Sequence, residues 1–597
     1  RSKQRMGELE ERVAVLETML RQQLTKDLSD GTASSSPHSL PGAHGSSSPP
    51  GQRGTPPGGL LLPFHQISER FAFWKRENCT RTLERISLSP LTATTLELRL
   101  TEDCLDKVCA ELPFLRIPWF LEQSRRPDAL SVPDAWWQGI INALIANTMS
   151  FQTINSSFRE LAVYSWAFFR NAYAVLPELI VHGDNLGAAQ AVMAMVLFMR
   201  QSADTRTTAL LLSMAIRIQH SAGLHIGPTS ESIPSAAEDE NRSRLFWAAY
   251  ILDMDMAVNA GLPPVHGDQT VTVDLPRADR LQGEGASRWG GVVFKLRAEL
   301  AGIQRRIATQ LMAQLITPRN ADLVALESEL EAWLIHVPFE IMPSWYNQPD
   351  KASPVTDVSV AMLHLVYYNC QSMICWASVR HVTAEMLESP QGTADSIHER
   401  TSSHKRIARA AARAAITSLS QFPTEPFGQF WRALCYSVSA SITLLALVCK
   451  EPTHPEAHGD LPLLAWFVNF LDKLVRDEGC DLERMRHGIS TIERVATHAV
   501  TAALGSVMPV NPALWPLSMA SGRTGKAIAM LLTCESYHPM YLAQSFMGNT
   551  PNRDTENAKH LAEILGLSWG KNGYGPFVPD SLMPATYGFA FSSGSPG

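Results

Sequence analysis

The chain has 597 residues, 45% of them hydrophobic and 18% charged, with a formal net charge of −7. That balance is ordinary for a globular protein and argues against a chain that is mainly a basic nucleic-acid surface. Nine scattered cysteines argue for reduced thiols inside a cell and against a disulfide framework. The first residue is Arg and not Met, so the expectation is a fragment or a processed product; no signal-peptide pattern opens the chain.

Residues 1–24 read as a short coiled-coil dimerisation helix. Met6, Leu9, Val13, Leu16 and Leu20 alternate spacings of three and four, the seam pattern of a heptad. Glu8 with Arg12 and Glu17 with Arg21 add i,i+4 pairs in the favourable order. The competing reading is one amphipathic helix packed on its own chain. Residues 25–63 are dominated by Ser, Gly and Pro and read as a disordered linker.

From residue 64 to 535 one helical stripe follows another, which predicts an all-α multi-helix body. Residues 64–345 are taken as one domain with its signature at 205–276. Residues 346–535 are taken as a further helical part of the same body, and 536–597 as a weakly ordered tail. Trp136, Trp137, Ile140, Ile141, Leu144 and Ile145 mark an early stripe, and Gly223 stands where a helix end favours left-handed backbone. The uncharged run 433–449 is 17 residues with three serines and a threonine, short and polar for a membrane span. It reads as a buried core helix, and no membrane partner is expected.

The stretch "NRSRLFWAAYILDMDMAVNAGLPPVHGDQTVTVDLP", 241–276, holds the residues that look chemical. Ser235 and Glu238 form a capping box ahead of it, and Gly261 with Pro263 and Pro264 ends the helix. "TVTVDLP" alternates like a short strand or an extended arm. Asp253 falls near the apolar face, where a carboxylate must be paired or hydrogen-bonded. No second acid, histidine or cysteine completes an acid–base pair on that face, so a structural carboxylate is expected. Asp255 lies two residues on, off that face, so the two acids cannot jointly hold one ion on a straight helix.

Other candidates fail on spacing. "ASGRTGKA", 520–527, has Ala where a phosphate loop needs Gly and Ser or Thr. "HERTSSH", 398–404, and "HPEAH", 454–458, read as a wrong spacing and as surface histidines in a Pro-rich loop. Lys405, Arg409 and Arg413 share one helical face that reads as solvated.

The sequence resembles the fungal-specific transcription factor domain, the middle homology region of fungal Zn2Cys6 factors. Arg244, Leu245, Phe246, Trp247, Tyr250, Leu252, Asp253, Gly261, Pro263, Pro264, Asp268, Asp274, Leu275 and Pro276 follow that pattern in order. Upstream, "ALLLSMAIRIQHSAGLH" resembles the preceding family helix, with Ala222 where Leu is common. Leu262 departs from a polar or basic preference between Gly and Pro.

The resemblance implies the regulatory and dimerising portion of a nuclear, sequence-specific DNA-binding factor acting on RNA polymerase II genes. It implies a homodimer, contact with the transcription machinery or a corepressor, and a possible small-molecule effector. DNA contact and zinc are expected in a missing N-terminal module, because this chain has no cysteine before Cys79. No catalytic, cofactor or metal residue is expected here. The residues also allow two other readings: a helical scaffold or corepressor without a DNA-binding module, and, more remotely, an all-α enzyme.

Overall fold

The computed structural model describes residues 100–505, except 127–128, 130–133, 153–157, 184, 202–204, 228–234, 268–270, 278–288, 312–318, 344–356, 389–393, 423–426 and 477–481. The coiled-coil positions Met6 to Leu20, the linker at 25–63, the run 520–527 and the tail at 536–597 lie outside the described residues. The described residues belong to one unit of the chain, Trp74–Gly597. Among them every regular element is helical and there is no strand, so the expected all-α class is the observed one.

The helices are α1 Glu102–Cys109, α2 Ile117–Ser124, α3 Ala135–Gln152, α4 Phe158–Ala174, α5 Leu176–His182, α6 Leu186–Met199, α7 Thr205–Ser221 and α8 Ala236–Ala260. They continue with α9 Gly290–Arg306, α10 Asn320–His336, α11 Val358–Glu388, α12 Ala394–Ser418, α13 Phe427–Lys450, α14 Pro455–Arg476 and α15 Glu483–Gly505. A single π turn, Ile307–Leu311, extends α9.

Two hydrophobic cores organise these helices. The first draws on α1 to α8 and is built around α6. Every residue of α6 from Ala188 to Met199 is buried, which explains why "LGAAQAVMAMVLFM" has no polar face. Asn185 caps α6 by accepting from Ala188 N at 2.9 Å. The helix's one buried amide, Gln190, donates to Phe114 O at 3.1 Å and so ties α6 to the segment between α1 and α2. Asn147 of α3 donates to Ala194 O at 2.9 Å. Gly187 lies against the Trp136 ring, where a Cβ would stand 2.4 Å from Cε3.

The second core begins at Val258, the end of α8, and runs through α9 to α15. Its centre is α13. One helix segment here, Arg432–Lys450, is long and apolar enough to cross a membrane, yet 94% of it is buried in protein. Two of its buried hydroxyls bond within the helix, Ser441 to Ser437 O at 2.9 Å and Thr443 to Ser439 O at 3.0 Å, and Ser437 donates to Ala415 O of α12 at 3.3 Å. Trp333 of α10 stacks on Tyr367 of α11 and donates to Leu296 O at 3.0 Å, locking α10 and α11 to α9.

Helix α9 belongs to both cores. Phe294, Ala298 and Ala301 face the first, and Val293, Leu296, Leu300, Ile303 and Ile307 face the second. At about 100° per residue these are two separate stripes, and Arg297 and Gln304 fall on the seam between them.

Two expectations from the sequence need correction. The face of Lys405, Arg409 and Arg413 is not solvated. It clamps α14 and the residues before it: Lys405 pairs with Glu451 at 2.6 Å, and Arg413 donates to Asp460 at 2.6 Å. Arg409, 2% exposed, lies 3.0 Å from Asp460. Asp460 is the reason, since a fully buried carboxylate needs cations. The "HPEAH" stretch is a helix start and not a loop; His454 accepts from Glu456 N at 3.2 Å, while His454 and His458 remain exposed.

The close approach at Gly187 makes a specific demand. Gly187→Ala should lower stability by about 1–3 kcal/mol through overpacking against Trp136. Urea denaturation reads this, and an unchanged midpoint would contradict the packing.

Candidate functional site

Helix α8 carries three buried charged residues, Arg244, Asp253 and Asp255. Ser235 accepts from Glu238 N at 3.3 Å, and Glu238 and Asp239 sit in the first turn, where acids oppose the helix dipole. Leu245, Phe246, Trp247, Tyr250 and Ile251 are all buried. Gly261 takes φ 66, a left-handed cap that ends the helix, and the chain leaves through Pro263 and Pro264.

Asp253 holds that exit. Its carboxylate accepts from Val265 N at 2.9 Å and His266 N at 2.8 Å, and its Oδ2 lies 2.9 Å from His266 Nδ1. The His266 ring is buried among Phe246, Tyr250 and His220, at 5.3, 5.3 and 5.2 Å between centroids. The later arm, 271–277, is extended without strand pairing. Trp247 Nε1 donates to Asp274 O at 2.8 Å, and Thr272 N donates to His225 O at 3.1 Å. Pro276 is buried, while Asp274 and Leu275 face solvent.

The end of α7 meets the same helix. Gly223, φ 70, allows Leu224 N to donate back to Gln219 O at 2.9 Å. Arg242 of α8 then donates to the carbonyls of Ala222 and Gly223 at 3.1 and 3.3 Å. Arg244, 5% exposed, is bound to Glu240 one turn back on its own helix.

Two residues beyond Asp253, Asp255 points into the seam between the cores. Arg297 donates to it at 2.7 Å, Gln304 at 3.0 Å and Arg200 at 3.3 Å. Arg200 also reaches Glu111 at 3.2 Å, and Glu111 is paired with Arg432 of α13. Burial opposes ionisation of Glu111, but Arg200, Arg432 and Arg297 outweigh it and hold the carboxyl well below its usual range. Burial lowers Arg432 from its ordinary value in spite of Glu111, and the charge of Arg200 adds to that effect. Asp255, Arg297, Gln304, Arg200, Glu111 and Arg432 therefore form one continuous buried network.

Residues 111–334 match the family described as the fungal specific transcription factor domain. The chain is 29% identical over 451 residues to an ABC-transporter-regulating transcription factor of Aspergillus fumigatus, covering 72% of this chain and 49% of that protein. It is 24% identical over 473 residues to the Fusaridione A cluster transcription factor of Fusarium heterosporum, covering 76% and 87%. Activator of stress genes 1 of Saccharomyces cerevisiae matches at 24% over 296 residues, 46% of this chain and 29% of that one.

Over residues 111–334 this chain carries a fungal-specific transcription factor domain. It is a regulator's domain and not an enzyme's. The chain spans about half the length, 49%, of both ABC-transporter-regulating relatives it matches.

Within the domain, Glu111, Arg200, Asp255 and Arg297 lie inside the matched stretch and Arg432 lies beyond it. The sequence points to a structural carboxylate at Asp253 and offers Asp255 only as a rejected second ligand for one ion. The signal for Asp255 was available: an acid flanked by Met254 and Met256 at the end of a run, 244–255, that is buried throughout. Its partners come from 42 and 55 residues away and carried no local signal. The zinc cluster implied by the resemblance finds no fit among the described residues, where no group of three His, Cys, Asp or Glu is placed to hold a metal. Burial pushes the Cys370, Cys435 and Cys449 thiols up to about 12, away from the thiolate that zinc requires.

One titration follows from this geometry. Burial, and then the neighbouring His266 and His225, lower His220 from 6.5 to about 4. The unfolded chain therefore takes up this proton first. The stabilisation is fully present above about pH 6.5 and is lost as pH falls toward about 4. His220→Gln should flatten the fall in urea midpoint across that window, and identical slopes in both proteins would contradict the assignment.

Proposed function

We propose that this chain is the regulatory and dimerising portion of a fungal sequence-specific DNA-binding transcription factor that controls RNA polymerase II genes in the nucleus. The family match over 111–334 carries the reading, supported by relatives whose names describe transcription regulators. In this proposal the zinc cluster that contacts DNA is held by six cysteine thiolates in a module ahead of residue 1. Residues 1–24 then pair two copies through Met6, Leu9, Val13, Leu16 and Leu20, and 25–63 link that coiled coil to the body. Residues 64–345 form the regulatory domain, 346–535 complete its helical body and 536–597 are a tail.

The roles of the signature residues follow from their contacts. Leu245, Phe246, Trp247 and Tyr250 pack α8 into the first core. Asp253, Gly261, Pro263 and Pro264 set the course of the chain after it. Asp274 and Pro276 fasten the arm, and Arg244 steadies the start of α8. None of these roles requires a reactive group. They make α8 a rigid axle, on which a response to an effector, the transcription machinery or a corepressor turns.

Two measurements test the reading. Light scattering should give twice the chain mass for residues 1–597 and a single chain mass once 1–24 are removed; an equal mass per particle in both removes the dimer. Tethered to a reporter promoter through a foreign DNA-binding module, the chain should change transcription several-fold, and no change would contradict a regulatory role.

A further inference from the structure

The seam network holds three guanidinium groups, Arg200, Arg297 and Arg432, against two carboxylates, Glu111 and Asp255. With Glu111 and Asp255 ionised, three positive charges against two leave one positive charge over in a buried place. The excess is matched by unmet hydrogen bonds. Arg297, with 0% of its surface exposed, has Nε and Nη1 without a partner. Arg200 Nη1 and Arg432 Nε are likewise buried and unpartnered. A guanidinium with open donors in a low-dielectric site is costly to keep, and an oxyanion is the group that satisfies its planar fork.

The same seam has open acceptors. Gln304 Oε1 and Asn259 Oδ1 are buried without donors, although Gln304 Nε2 is spent on Asp255 and Asn259 Nδ2 on Tyr436. Arg297 has 1% side-chain exposure, while Arg200 and Arg432 have 14% and 13%.

We infer that the seam is a binding site for a small monocarboxylate that also carries a hydrogen-bond donor, such as a hydroxy acid. Its carboxylate takes the open donors of Arg297, Arg200 and Arg432, and its donor reaches Gln304 or Asn259. One negative charge balances the surplus. Because the site is built from α6, α8, α9 and α13, occupancy joins the two cores. The biological meaning rests on the regulatory reading above, but binding is measured on its own and fails separately from the reporter test.

Isothermal titration and thermal unfolding of the 597-residue chain, with lactate, acetate and inorganic phosphate at an ionic strength matched by sodium chloride, test it. Lactate should bind saturably and raise the unfolding temperature, acetate should bind more weakly, and chloride should do neither. Arg432→Gln should weaken lactate binding about tenfold or more, the loss of one charge-assisted bond. Glu111→Gln removes a competing carboxylate and should tighten it. A purely structural network predicts that both variants lose stability with lactate affinity unchanged. No saturable binding of lactate to the unmodified chain, unchanged affinity in both variants, or preference for phosphate would each overturn the inference.

Discussion

Asp255, 5% exposed, sits where two hydrophobic cores meet. It is paired with cations from other helices, and the helices that supply them are thereby fixed in place. Arg297 comes from the helix shared by both cores, Arg200 from the end of α6, and Arg432 arrives through Glu111 from α13. Removing one partner of such a pair typically costs about 3–5 kcal/mol, because the other charge is left buried and alone. Hydrophobic contact brings the cores together without choosing an orientation. The charges choose it.

A second consequence comes from the spacing on α8. Asp253 and Asp255 are two residues apart, so a straight helix sends them to different sides. One folds the exit loop back through two backbone amides and His266, and the other engages the seam. A change in the seam and a change in the loop are thus linked through one rigid rod. That is the kind of element on which a regulatory domain depends: rigid, buried along its C-terminal half, and tied to distant parts of the chain.

Much of this was legible in the residues. The capping box at Ser235, the left-handed glycines 223 and 261, and the paired prolines announced helix limits that local physics decides, and these are where the structure has them. The burial of 433–449 was legible from serines too polar for a lipid span. What local pattern could not show was tertiary pairing. Arg409 and Arg413 look like a wet helix face until Asp460 arrives from 47 residues away. Asp255 looks like a stray acid until Arg297 is placed beside it. The double role of α9 was hidden for a related reason: two stripes on one helix read as a single broad apolar face.

The central claim is that the two cores behave as one body because the seam network joins them. Hydrogen exchange under increasing denaturant measures this directly, through amides of α6 in the first core and α13 in the second. The account predicts that both exchange with the same opening free energy and that Asp255→Ala lowers both together. Separate opening energies in the unmodified chain, or a change confined to one helix, would contradict it.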